Sequence, residues 1–201
     1  MRDLCQHIMD LVENAAAARA SRVSVELCED ETRDRMTLSV EDNGRGIGPD
    51  ALERAADPFY TTRQTRAVGL GLSLLRAAAA RCGGDFAIHS TPGQGTRVEC
   101  SFGLSHIDRA PLGDVVATLT ALVAVHPGLD LRYEHRQGDR CFSLDTAEFR
   151  AALGEGPGLD EPAVVAALRR YLAGEWDAFR ERAGPSVEER APPAAARDGA
   201  E

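Results

Sequence analysis

The chain has 201 residues, 43% of them hydrophobic and 27% charged, with a formal net charge of −9. This is the composition of a soluble globule, one domain plus an extension or two small domains, and its acidity argues against a nucleic-acid surface, because phosphate backbones select basic patches. No apolar run reaches membrane-spanning length, Arg2-Asp3 is unlike a secretory signal, and Cys5, Cys28, Cys82, Cys100 and Cys141 have no CxxC spacing, so a cytoplasmic chain with reduced, mostly buried thiols and no cysteine metal site is expected.

The spacing predicts a first helix over residues 2–19. Leu4, Ile8, Leu11, Val12 and Ala15 form its apolar stripe, with Asp3, His7, Asp10 and Asn14 beside it. On the helix alone those four read as a solvated polar flank. Asn14 offers a neutral oxygen suited to a hard cation such as Mg²⁺, and Asp10, one turn earlier, could orient or deprotonate an attacking group. Strands follow at 22–28, with Val23, Val25 and Leu27 inward, and at 36–42, where Met36, Leu38 and Val40 face the core. Asp42 shares that inward parity, and a buried carboxylate needs donors. Gly44 and Gly46, just after it, permit positive φ and close backbone approach.

Pro49 is expected to open a short helix to about Ala55, followed by a short loop from about Pro58 to Val68. Gly69-Leu70-Gly71-Leu72 then leads into a helix over about 70–82, stopped by Gly83-Gly84. A glycine-rich entry to a helix N-terminus presents free N–H groups suited to phosphate oxygens. The order of strand, glycines and helix differs from a dinucleotide fold, and a P-loop lysine is absent. A strand at 85–90, with Phe86 and Ile88 inward, turns through Thr91-Pro92-Gly93-Gln94-Gly95 into a strand at 96–103. There Val98, Cys100 and Phe102 face in and Thr96 shares their parity. Taken singly, Asp42 reads as the start of a turn and Thr96 as a cross-strand partner. Together, two strands aim a polar end residue at one spot, where an adenine amino group, ring nitrogens and a bridging water would satisfy both.

After Gly103 an αββαα unit is expected: a helix opened by Pro111 and capped by Asp108, strands LDLRYEH and RCFSLD joined through Gln137-Gly138-Asp139, and helices over 146–153 and about 160–182. Its apolar positions include Val115, Leu119, Leu131, Tyr133, Phe142, Leu144, Leu168, Leu172 and Trp176. The unit is either a small partner-docking domain or an extension of the first core. Residues 183–201 are low in apolar content and expected to be disordered. The divisions are thus 1–103, 104–182 and 183–201, in an α+β class with a two-layer sandwich and a mixed sheet.

The four boxes, Asn14, Asp42 to Ile47, Gly69 to Leu72 and Gly95-Thr96, resemble in order those of the GHKL superfamily. Its members include gyrase-type topoisomerases, the large heat-shock chaperones, histidine kinases, mismatch-repair ATPases and anti-sigma-factor kinases. The resemblance covers roughly residues 1–103. It implies an ATP site in which Asn14 binds Mg²⁺, Asp42 holds the adenine amino group with Thr96 assisting through water, and Gly44, Gly46 and Ile47 shape the base pocket. Thr62 and Arg63, in a segment similar to the family's lid, and Gly69, Leu70, Gly71 and Leu72 are implied to hold phosphates. Asp10 stands where many members have Glu, and Ala67 where the lid entry usually has glycine. The first predicted helix begins at the N-terminus, so no phosphoacceptor module is expected ahead of it. In this the chain resembles small stand-alone ATP-binding proteins of anaerobic bacteria. His106-Ile107-Asp108-Arg109-Ala110-Pro111-Leu112 loosely resembles the phosphoacceptor box of sensor kinases, with the acidic neighbour displaced by one; a structural linker is the better reading. Two functions follow from the resemblance: transfer of the γ-phosphate to a partner protein, or a nucleotide-gated switch with little catalysis. A homodimer is compatible with either.

Overall fold

The computed structural model describes residues 3–49, 70–154 and 156–181. The short helix expected from Pro49, the lid segment with Thr62, Arg63 and Gly69, and the tail after 182 therefore lie outside the described residues.

The first helix, α1 (Leu4–Ala17), is followed by β1 (Arg22–Asp30) and β2 (Arg35–Asp42). After the undescribed segment come α2 (Leu70–Arg81), β3 (Phe86–Thr91) and β4 (Gly95–Gly103), then α3 (Val115–Val125), β5 (Asp130–Gln137), β6 (Arg140–Asp145), α4 (Thr146–Leu153) and α5 (Pro162–Glu181). The strands form one six-stranded sheet in the order β3-β4-β2-β1-β5-β6. All neighbours are antiparallel except β1 and β5, so the sheet is mixed and the class α+β.

Alternation dictates the layers. Ile88, Val98, Val40, Val25, Tyr133 and Leu144 sit opposite one another across all six strands, each on the apolar parity of its strand. Five of the six are buried, Ile88 partly so, and helices cover this face. Residues of the other parity, such as Glu26, Thr37, Arg97 and Arg132, are exposed. Buried leucines such as Leu4, Leu38, Leu75 and Leu119 each contribute on the order of 1.5–3 kcal/mol by leaving water.

The αββαα unit is present, and its strands continue the sheet through the β1–β5 pairing rather than making a sheet of their own. One core cluster contains residues from both halves of the chain.

Two local expectations are corrected. The third helix starts at Val115, not Pro111, and its cap is Asp114, whose side chain accepts from the Ala117 N–H at 2.9 Å; Asp108 does not cap it. Gly113, at φ +92°, breaks any earlier helical path. The carbonyls of Pro111 and Leu112 are also taken, accepting from the first N–H groups of α1, Leu4 at 3.0 Å and Cys5 at 2.9 Å. The linker thus closes the N-terminus of α1, together with the Asp3 side chain, which accepts from the Gln6 N–H. The second correction is His7, which is 3% exposed and so belongs to the interior rather than to a solvated flank.

Three of the cysteines, Cys5, Cys82 and Cys100, are buried, Cys28 and Cys141 are exposed, and all five are free thiols. Burial pushes the Cys100 thiol up to about 12 and that of Cys5 up to about 11, so both are inert at neutral pH. Among the described residues no helix is long and apolar enough to cross a membrane.

Candidate functional site

Asp42 closes β2 and Thr96 lies directly opposite it on β4. This is the convergence that strand parity predicts. The Asp42 carboxylate accepts from the Gly44 N–H at 2.7 Å. Burial raises its pKa above the ordinary carboxylate value, and the N–H groups of Gly44 and Thr96 pull it partly back. An acceptor that has lost its water and has lone pairs to spare is suited to a donor brought by a ligand.

Both residues open on a cavity of about 290 Å³. Leu11, Val40, Ile47, Leu72 and Val98 supply apolar lining, and Asn14, Arg45 and Thr96 join Asp42 as its polar residues. An apolar slot with a few convergent polar groups is the usual form of a small-molecule site.

Local chemistry holds each wall in place. Asn43 turns to the scaffold: its Oδ1 accepts from the N–H groups of Ser21 and Arg22, each at 2.9 Å, and its Nδ2 donates to Ser21 Oγ. The Arg45 N–H donates to the Ala18 carbonyl at 2.9 Å, tying the loop after β2 to the end of α1. Gly46 has φ +66°, and a Cβ there would stand 2.1 Å from the Thr91 carbonyl oxygen, so this lining position requires glycine. Gly44 is placed differently. It does not have positive φ, is buried against Ala18 and Asp42, and sits behind the wall instead of lining it.

The structure therefore brings Asn14, Asp42, Gly46, Ile47, Leu72 and Thr96 around one cavity. Asp10 is not in the lining; it stands one turn before Asn14, against the first turn of α2. A Cβ on Gly71 would come within 2.9 Å of the Asp10 carboxylate, so the bare glycine admits that side chain. Burial raises the Asp10 pKa, and Glu13 adds to it. Leu70 opens α2. Thr62, Arg63 and Gly69 fall outside the described residues.

Gly71→Ala is expected to push the Asp10 carboxylate toward solvent, and carboxyl NMR titration should then find its pKa lowered toward the ordinary range. Thermal stability should change little, because alanine adds up to about 1 kcal/mol of helix propensity. An unmoved Asp10 titration would contradict the packing described.

One residue was not singled out from the sequence. Ser90, on β3, is the register partner of Thr96, and its hydroxyl meets Thr96, Ile47 and Gly95. A polar residue at a strand end beside an inward Thr was the available signal.

A family model described as histidine kinase-, DNA gyrase B- and HSP90-like ATPase matches residues 1–106. The chain is 37% identical over 94 residues to the sensor histidine kinase ZraS of Salmonella typhimurium, covering 46% of this chain and 20% of that protein. It is 34% identical over 125 residues to the non-motile and phage-resistance protein of Caulobacter vibrioides, covering 58% and 15%. The match thus spans a fifth or less of the length of these two relatives. Among solved structures, the Aquifex aeolicus MutL ATPase domain complexed with ADP is similar at a TM-score of 0.48 and 17% identity, covering 67% of this chain and 60% of that one.

Proposed function

The chain belongs to the histidine kinase-, DNA gyrase B- and HSP90-like ATPase family, and from that membership we propose that it binds ATP with Mg²⁺ and passes the γ-phosphate to a partner protein in the cytoplasm. The observation that carries the proposal is the Asp42–Thr96 pair, in register and open to the same cavity as Asn14.

In this reading the adenine amino group donates to Asp42, and a water links the base to Thr96. Val40, Val98, Ile47 and Leu72 hold the ring away from bulk water. The N-terminal end of α2, with its positive dipole end, receives phosphate oxygens, with Thr62, Arg63 and Gly69 as further candidates from the resemblance.

Asn14 is the residue that would hold Mg²⁺. The donor chemistry fits: the Asn14 amide brings a neutral oxygen to the cavity, and Mg²⁺ takes oxygen ligands in octahedral geometry, most of them supplied by water and substrate phosphates. When bound it would neutralise charge on the phosphates.

Asp10 is proposed as the base that orients or deprotonates the acceptor. Its raised pKa makes it a stronger base than an exposed aspartate. Intrinsic hydrolysis should nevertheless be slow, because Asp is a methylene shorter than Glu. A nucleotide-gated switch with little catalysis is the second reading, favoured by the place of Asp10 outside the cavity lining.

Incubation with γ-labelled ATP and a lysate tests the first reading. Label should appear on a protein, and Asp10→Asn should lower that transfer by about 100-fold or more while changing ATP affinity by less than about twofold. Transfer that is unchanged in Asp10→Asn would favour the switch.

A further inference from the structure

Hydrogen bonds along one row of the sheet fix which way the Thr96 hydroxyl faces. Ser90, Thr96 and Asp42 stand side by side on β3, β4 and β2. The Ser90 hydroxyl has one proton and two lone pairs. The Ile47 N–H donates to Ser90 Oγ at 2.8 Å, which occupies one lone pair. The Gly95 carbonyl, 2.9 Å away, can only accept, so the Ser90 proton goes there. Thr96 Oγ1 lies 2.8 Å from Ser90 Oγ. With the serine proton committed, this contact is made by the Thr96 proton, donated to the second lone pair. Every valence of Ser90 is then used, and Thr96 faces the cavity with lone pairs only.

We infer that Ser90 is a positioning residue for nucleotide selectivity: it commits the Thr96 hydroxyl as an acceptor, so that the water between Thr96 and the base spends one proton on Thr96 and the other on the ring nitrogen of adenine, while Asp42 takes the exocyclic amine directly, an arrangement that a carbonyl at the same place on the purine does not match. The inference rests on the proposed ATP reading and deepens it. A site built from committed acceptors discriminates strongly, because a carbonyl facing it leaves acceptors opposed to acceptors. Ser90 itself need not touch the base. It acts through Thr96, and through Ile47 it also holds the loop that carries an apolar wall of the cavity.

The test compares ATP with inosine triphosphate, which carries a carbonyl in place of the amine, by calorimetry. Ser90→Ala frees the Thr96 hydroxyl to rotate and donate into the cavity, and the ATP-to-inosine-triphosphate affinity ratio should fall about tenfold. Thr96→Val should lower the ratio as well, and adding Ser90→Ala to it should change the ratio no further, since the serine reaches the discriminating group only through the threonine, and loss of its Ile47 contact weakens both nucleotides alike. If Ser90→Ala does not fold, Ser90→Cys, which fills the site with a slightly larger side chain that is only a weak donor and acceptor, should show the same direction. A variant in which both nucleotides weaken in parallel at constant ratio, or additive effects in the double variant, overturns the inference and leaves the ATP reading standing. Failure of the wild-type chain to bind ATP overturns both.

Discussion

Asp42→Asn is expected to abolish measurable ATP binding without unfolding the protein. The carboxylate presents two acceptor oxygens, one of which already takes the Gly44 N–H. An amide can keep that bond only by turning its NH₂ toward the base, where it meets another donor. Loss of a hydrogen bond to a charged group costs about 1.5–3 kcal/mol, and opposed donors add to it, so a fall of at least about 100-fold in affinity is expected. Stability should move the other way. Burial raises the Asp42 pKa, so between the ordinary and the raised value the folded state holds more proton than the unfolded one, and stability falls as pH rises through that window. A neutral amide removes this cost. The apo variant should melt at or above the wild-type temperature while losing the response to ATP. The same shift sets a pH dependence. In the wild type, ATP affinity should decline on acidification beginning above the ordinary aspartate pKa of about 3.9. Calorimetry across pH checks this, and a variant that binds ATP like the wild type would remove Asp42 from the site.

Asn14→Ala is expected to separate metal from base. Asp42 and Thr96 lie on strands and Asn14 on α1, so the two recognitions rest on different elements. ATP affinity in EDTA should stay within a few-fold of wild type, whereas the gain on adding Mg²⁺ should vanish. Phosphate turnover should fall by about 100-fold or more, because charge neutralisation and positioning carry most of phosphoryl transfer. If wild-type affinity is already the same in EDTA and in Mg²⁺, Asn14 is not a ligand.

What could be read from the residues divides along a physical line. Strand parity is local, so the inward faces of Asp42 and Thr96 were legible before any pairing was known; their direct opposition needed the register. The five elements after Gly103 were legible from periodicity and turn chemistry. The parallel pairing of β5 with β1, which merges the two halves into one sheet, was not, because it joins residues about a hundred positions apart. The start of α3 was misread because Pro111 is a good first helical residue, and nothing local says that its carbonyl is claimed by Leu4. His7 looked like part of a polar flank until the packing of α1 buried it. Gly44 and Gly46 looked alike, but only Gly46 needs positive φ. Ser90 went unmarked because a serine in a strand is unremarkable until its three hydrogen bonds can be counted.

Binding of Mg-ATP in this cavity is read most directly from the melting temperature of the wild-type chain titrated with the nucleotide. Binding to the native state alone stabilises it by about 2.7 kcal/mol at a hundred times Kd, roughly 5–10 °C for a chain of this size. The melting temperature should rise with ATP concentration in Mg²⁺, less in EDTA and not at all in Asp42→Asn. A folded wild-type chain whose melting temperature does not move at millimolar Mg-ATP would contradict binding in this cavity.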